Sequence, residues 1–243
     1  MEKKNWNKSW EVGQIVAADY STARVFSDFG IDFCCHGDVC LENACRNAGV
    51  SVEEVLDALE TSSSDYKVSN GFSTWPLDLL IDYVLKIHHR YIRRRGPEIL
   101  ALLEKVETVH GAVHPELHEL HSLFVESLED LEMHLQKEEN VLFPYLLELF
   151  GAAEQKQFIG QMHCGTVANP IRVMRMEHEG EGNRYHRIAE LTGQFTVPED
   201  GCNSYRLLMH ELEDFVGHLY EHIHLENNLI FPQAVRLEEK WVK

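Results

Sequence analysis

The residues best suited to chemistry in this chain are histidines and glutamates set four apart. His134-Leu-Gln-Lys-Glu138-Glu-Asn140-Val-Leu-Phe143-Pro144 and His222-Ile-His-Leu-Glu226-Asn-Asn228-Leu-Ile-Phe231-Pro232 share one pattern, H-x3-E-x-N-x2-F-P. Agreement at so many fixed positions marks an internal repeat, with two helices supplying equivalent halves of one site. Residues four apart share a helical face, so each pair aims an imidazole and a carboxylate at one point. The apolar stripe Leu208, Leu212, Phe215, Leu219 continues through His222 and Glu226 to Leu229. The stripe Leu117, Leu120, Phe124, Leu128, Leu131 continues through His134 and Glu138 to Leu142 and Tyr145. Both pairs therefore take core positions. Burying an ionised carboxylate without a partner costs many kcal/mol. No Lys or Arg lies on these stripes at that level, so a metal ion is the economical partner.

Two more helices complete the set. His89 follows Leu85 and precedes Ile92 on one stripe, and His178 lies between Met174 and Tyr185 on another. The histidines at 89, 134, 178 and 222 are 45, 44 and 44 residues apart, which places them at one height in an up-and-down bundle. Four imidazoles and two bridging carboxylates suit a dinuclear centre of iron, manganese or zinc. Iron is the favoured member because bundle sites of this kind commonly hold di-iron, and spacing alone does not exclude the others. Water, oxo or hydroxo would fill the remaining positions and leave room for a small ligand.

Other histidines fail the same test. His88 points about 100° away from His89 and is expected beside the ligands or at the surface. His110 lies roughly 31 Å along the helix from His89 and could return only if Gly96-Pro97 broke it. His114, His118 and His121 are expected to be solvated. Glu181, one turn after His178, is expected to orient that ligand.

These residues require four long amphipathic helices, about 77–109, 115–149, 170–192 and 203–238, forming an all-α, antiparallel four-helix bundle. Asn169 suits a helix cap, Pro170 a first helical position and Gly193 a helix end. A shorter helix is expected over Ala152–Ile159. Before the bundle, short helices are expected over Val12–Phe29 and Ser51–Glu60, around the irregular Asp32-Phe-Cys34-Cys35-His-Gly37. A turn-rich break follows, so the division is residues 1–65 as a small helical cysteine-pair domain, 66–75 as a linker and 76–243 as the bundle.

Composition narrows the function. The chain has 243 residues, 44% hydrophobic, with 15 histidines and a formal net charge of −18. Such acidity disfavours nucleic acid and anionic membrane surfaces as partners. The polar N-terminus and the absence of a long apolar run point to a soluble, cytoplasmic protein. Six cysteines without a C-x-x-C pair read as thiols rather than as a zinc ribbon or a disulfide framework.

With these residues in place, the chain resembles the repair-of-iron-centres family of ScdA/YtfE type, whose main domain is hemerythrin-like. The likeness rests on H-x3-EEN-x-LFP, on Pro170-Ile-x-Val-Met-x-x-Glu-His178, on His222-x3-Glu226-Asn-Asn-x-x-Phe-Pro, and on the leading Asp32-Phe-Cys34-Cys35-x-Gly37. It implies two non-haem iron ions, oxo- or hydroxo-bridged, held by His89, His134, Glu138, His178, His222 and Glu226. It also implies repair of iron–sulfur clusters damaged by nitric oxide or peroxide, through iron management or donation, with damaged iron–sulfur proteins as clients. On the resemblance, Cys34 and Cys35 are redox or nitrosyl-handling thiols; otherwise they pack the small domain's core. Cys40 and Cys45 have no assigned role.

Two other functions share these residues. One is reduction of nitric oxide or peroxide at the di-iron centre. The other is binding of O2 or nitric oxide, although oxygen-carrying hemerythrins use five imidazoles and this chain offers four. A homodimer is compatible with the sequence.

Overall fold

The computed structural model describes residues 6–62 and 71–243. It is helical throughout, and among the described residues only isolated β-bridges occur. Four short helices lead: α1 (Val12–Ala18), α2 (Thr22–Asp28), α3 (Leu41–Ala48) and α4 (Val52–Ser62). Four long ones follow: α5 (77–110), α6 (116–154), α7 (Ala168–Leu191) and α8 (203–241). Among the described residues no helix is long and apolar enough to cross a membrane.

Three of the long helices widen into a π turn on their way through the molecule: Val84–His89 in α5, Glu138–Leu142 in α6 and Glu226–Ile230 in α8. The Phe-Pro of each repeat explains the last two. Pro144 and Pro232 each stand in the first turn where the α-helix resumes. Proline has no N–H for the carbonyl four residues back and its ring crowds that carbonyl; one extra residue in the turn relieves both. In α6 the Asn140 side chain, within the wide turn, donates to the Gln136 carbonyl one turn before it at 2.8 Å.

The π turns stand where the helices pass between two separate hydrophobic clusters, and their Val84, Leu142 and Leu229 already belong to the second. One packs Ile92, Leu103, Phe124, Leu131, Tyr185, Leu212, Phe215 and Leu219, and takes in Val12, Phe26, Leu41, Cys45 and Leu59 of the leading helices. The other packs Leu80, Val84, Leu142, Phe143, Ile171, Met174, Leu229 and Phe231. Along each long helix the chain leaves one cluster and enters the other, and the residues at the crossing are His89, Glu138, His178 and Glu226.

Several expectations need correction. Val12–Phe29 is two helices, broken where Asp19 Oδ1 accepts the Ser21 N–H at 3.2 Å. Helix α3 was not anticipated; its Cys45 is buried in the core and Cys40 stands at its N-cap. Helix α6 stops at Glu154, and Lys156 takes a left-handed φ of 55°, so no helix fills Ala152–Ile159. Helix α7 starts at Ala168, before Asn169, because Glu238 from α8 and Thr166 receive the first free N–H groups. Asn169 donates instead to the Cys164 carbonyl at 2.9 Å. Pro97 lies inside α5 without ending it. Residues 66–70 of the expected linker lie outside the described residues. The remaining five are no loose tether, since Phe72 is fully buried and packs against Trp75 and Tyr83.

Candidate metal centre

The six nominated groups meet at the boundary between the two clusters. His89, Glu138, His222 and Glu226 are fully buried, His178 is 2% and His134 4% exposed. One ligand atom from each of His134, Glu138, His178, His222 and Glu226 lies within 4.8 Å of the others. His89 joins through Glu138, its Nε2 standing 3.4 Å from Oε2.

The two carboxylates each face both sides of the site. Glu138 Oε1 is 3.3 Å from His134 Nε2, while its Oε2 is 3.6 Å from His222 Nε2 and also faces His89. Glu226 Oε2 is 3.0 Å from His178 Nε2 and its Oε1 is 2.8 Å from His222 Nε2. The donors thus fall into two sets, one around His134 and His178 and the other around His89 and His222. Each set receives one oxygen from each glutamate.

Hydrogen bonds on the far side of three rings decide which nitrogen points inward. His89 Nδ1 meets Glu139 Oε1 at 2.8 Å, His134 Nδ1 meets Glu177 Oε2 at 2.8 Å, and His178 Nδ1 meets Asn227 Oδ1 at 3.0 Å. Carboxylate oxygens only accept, and the Asn227 amide nitrogen is occupied in donating to the Cys34 carbonyl at 3.1 Å. Each Nδ1 is therefore the donor, and in a neutral ring Nε2 carries a lone pair. His134 Nε2 and His178 Nε2 nevertheless face each other at 3.1 Å. Both Glu138 oxygens, Glu226 Oε2 and His89 Nε2 are buried without a hydrogen bond. Converging lone pairs and unbonded carboxylate oxygens in a dry interior fit a cation.

The metal-free electrostatics agree. Burial lowers the pKa of His134, but the neighbouring Glu138 charge outweighs it and holds the ring up at about 10. Burial likewise opposes Glu226 and Glu138 at His222, which ends at about 9. Burial would raise Glu138, yet the His134 charge and three imidazole contacts keep it well below the usual carboxylate range. Protons stand in for the positive charge the donor set demands.

The partners of the three Nδ1 atoms were missed in the sequence. Glu139 and Asn227 occupy the same place in the two repeats, directly after Glu138 and Glu226, and each reaches the histidine of the preceding helix. Glu181, nominated for that role, instead accepts from Ser127 Oγ at 2.7 Å and pairs with Arg184. His88 is fully buried rather than at the surface, stacked 6.1 Å from His222, and makes no hydrogen bond to the donor set. His114 is half-buried between Glu116 and Asp200, whereas His118 is exposed. His110 lies remote from the site with its Nε2 3.2 Å from Cys202 Sγ.

A cleft of about 220 Å³ between α6 and α7 reaches His134, His178 and His222, lined at its outer part by Asp130, Lys137 and Glu177. On the other side the leading helices close over the centre. Cys34 and Cys35 are free thiols with Sγ atoms 3.8 Å apart. Cys35 Sγ lies 3.5 Å from the His178 carbonyl oxygen. Asn228 donates to the Phe33 carbonyl at 3.1 Å, and Gly13 and Gly37 leave space for that side chain.

Comparison with known proteins accords with this chemistry. Residues 80–234 match the hemerythrin HHE cation-binding domain, and residues 8–63 match ScdA_N, a domain of unknown function. An iron–sulfur cluster repair protein YtfE of Musicola paradisiaca is 32% identical over 227 residues, covering 93% of this chain and 96% of that protein. The chain belongs to the hemerythrin-like YtfE family. Relatives of the same name from Pectobacterium carotovorum and Yersinia pseudotuberculosis are 32% and 31% identical, over 93% and 95% of this chain. They cover 97% and 99% of those proteins, so family likeness extends through both the cysteine-pair segment and the bundle.

Proposed function

We propose that this protein repairs damaged iron–sulfur clusters by supplying iron from a di-iron centre, in the cytoplasm, to damaged iron–sulfur proteins as clients. The observation that carries this reading is the division of six buried donors into two sets that share both glutamates. In this reading His134 and His178 would hold one ion, His89 and His222 would hold the other, and Glu138 and Glu226 would each give an oxygen to both. When bound, the ions supply redox chemistry and exchangeable iron. The protein's own part is to hold the donors still. Glu139, Glu177 and Asn227 lock three rings with Nε2 inward, and the two hydrophobic clusters keep water from the carboxylates. With four imidazoles rather than five, fewer strong nitrogen donors hold the metal, which favours release.

Cys35, whose thiol lies 3.5 Å from the His178 carbonyl oxygen, and Cys34, whose Sγ is 3.8 Å from that of Cys35, are proposed to handle redox or nitrosyl groups at the centre. The cleft between α6 and α7 favours access of nitric oxide or O2, so reduction of nitric oxide is the second reading. Incubating the reduced protein with a nitrosylated iron–sulfur enzyme separates the two. Recovery of the client with matching iron loss from this protein supports donation. Consumption of nitric oxide with full retention of iron supports the reductase. Glu138→Ala and Glu226→Ala are each expected to lose one or both ions; two ions per chain retained in both variants would refute the bridging assignment.

A further inference from the structure

Outside the bundle, a second group of metal-ligating side chains lies in the loop between α2 and α3. Asp32, Cys34 and Cys35 each bring one ligand atom within 4.8 Å of the other two. The loop's conformation is set by Asp32. Its Oδ1 accepts the backbone N–H of Cys34 at 3.0 Å and of Cys35 at 2.9 Å, which turns both side chains to the same side. The Cys34 thiol then faces Asp32 Oδ1 at 3.4 Å and Cys35 Sγ at 3.8 Å.

Those separations match a tetrahedron. With metal–sulfur bonds of about 2.3 Å, two thiolates on one tetrahedral ion stand about 3.8 Å apart. With a carboxylate oxygen at about 2.1 Å, the sulfur-to-oxygen edge is about 3.6 Å. Two of the three edges are thus already near tetrahedral length, and the third pair of ligand atoms lies within 4.8 Å. His36 Nδ1 bonds the other oxygen, Oδ2, at 2.7 Å. A carboxylate held by an imidazole in this way is an oriented ligand. Cys35 and His36 also line a cleft of about 620 Å³, so the fourth side is open to solvent or an exchangeable ligand.

We propose that Asp32, Cys34 and Cys35 form a second, mononuclear site for a thiophilic divalent cation, open on one side and oriented by His36. Binding releases the two thiol protons to solvent and leaves the cysteines as thiolates. The site does not depend on what the bundle centre holds, but it is joined to that centre, since Asn227 hydrogen-bonds both the Cys34 carbonyl and His178.

Co2+ is the probe, added to the metal-loaded, thiol-reduced full-length protein. One further equivalent is expected to bind, with sulfur-to-cobalt charge-transfer absorption and ligand-field bands of tetrahedral intensity. The double variant Cys34→Ser/Cys35→Ser abolishes the charge-transfer band, Cys202→Ser leaves it intact, and His36→Ala weakens Co2+ binding about 10-fold. X-ray absorption on the unaltered protein then counts two sulfurs per added cobalt, a reading that does not rely on any variant folding. Cobalt bound without sulfur ligands overturns the proposal, as does a charge-transfer band that survives loss of both thiols in Cys34→Ser/Cys35→Ser.

Discussion

Asn227 offers the sharpest test of how the centre is held. Its side chain is buried and makes two hydrogen bonds, to the Cys34 carbonyl at 3.1 Å and to His178 Nδ1 at 3.0 Å. Asn227→Ala removes both and leaves a buried carbonyl and a buried ring N–H unpaired. A lost hydrogen bond is worth about 1 kcal/mol and a stranded buried group about 1–3 kcal/mol, so the fold should lose about 2–4 kcal/mol. Loss of a partner that orients a ligating histidine lowers metal affinity by roughly 10–100-fold. Asn227→Asp separates the two effects. Its carboxylate still accepts from His178 Nδ1 but cannot donate to Cys34. That variant should hold metal within a few-fold of the unaltered protein while losing stability where the cysteine loop meets the bundle. The assay is the rate of iron removal by a chelator, set beside thermal unfolding followed by circular dichroism. Unchanged iron retention in Asn227→Ala, or equally fast loss from Asn227→Asp, would show that this hydrogen bond does not hold the ligand.

Three further outcomes follow from the same geometry. In the metal-free protein His134 is held up at about 10 and His222 at about 9, so near neutral pH both rings must shed protons to bind metal. Affinity should therefore rise with pH up to that range, with proton release read by calorimetry in buffers of different ionisation enthalpy; pH-independent uptake contradicts it. Because these pKa values are raised, their contribution to metal-free stability is full below the ordinary histidine value near 6.5 and disappears as pH climbs through about 9 to 10. At the far end of the bundle, the backbone of Tyr205 and then His110 bring the exposed Cys202 thiol down to about 7. Its alkylation should show a midpoint near that pH, and His110→Ala should raise it only part of the way; an unmoved midpoint rules out the pair. Finally, a Cβ on Gly37 would meet Asn228 Oδ1 at 2.5 Å and the Phe33 carbonyl at 2.7 Å. Gly37→Ala should cost about 1–3 kcal/mol and expose the cysteine loop to proteolysis; wild-type stability and protease resistance would show that the loop absorbs the methyl group.

What the sequence revealed, and what it hid, follows from which residues lie on a periodic face. His134, Glu138, His222 and Glu226 were legible because charged groups interrupted otherwise apolar stripes at helical spacing. Glu139, Glu177 and Asn227 lie off those stripes, where a polar residue usually means solvent, so their contact with a ligand on the next helix was not visible. Glu181 satisfied the spacing rule yet turned to Ser127 and Arg184, because one helical turn from His178 leads into the neighbouring cluster rather than back to the ring. The π turns were hidden because periodicity assumes 3.6 residues throughout; the Phe-Pro pairs were the only trace of two of them, and the third left none. The leading segment was harder still. Helices of seven or eight residues carry little periodic signal, and their apolar faces are completed by the bundle.

The polar layer between the two hydrophobic clusters bears on how the molecule melts. Each cluster is complete in itself, and every long helix passes from one to the other through the donor set. With cations in place, ligands on all four helices are tied at that level and heating should break the chain in one concerted transition. Stripped of metal, the layer is held only by pairs of protonated imidazoles and carboxylates, and the two ends can lose order at different temperatures. Calorimetric and van't Hoff enthalpies should then agree for the loaded protein and part company for the stripped one.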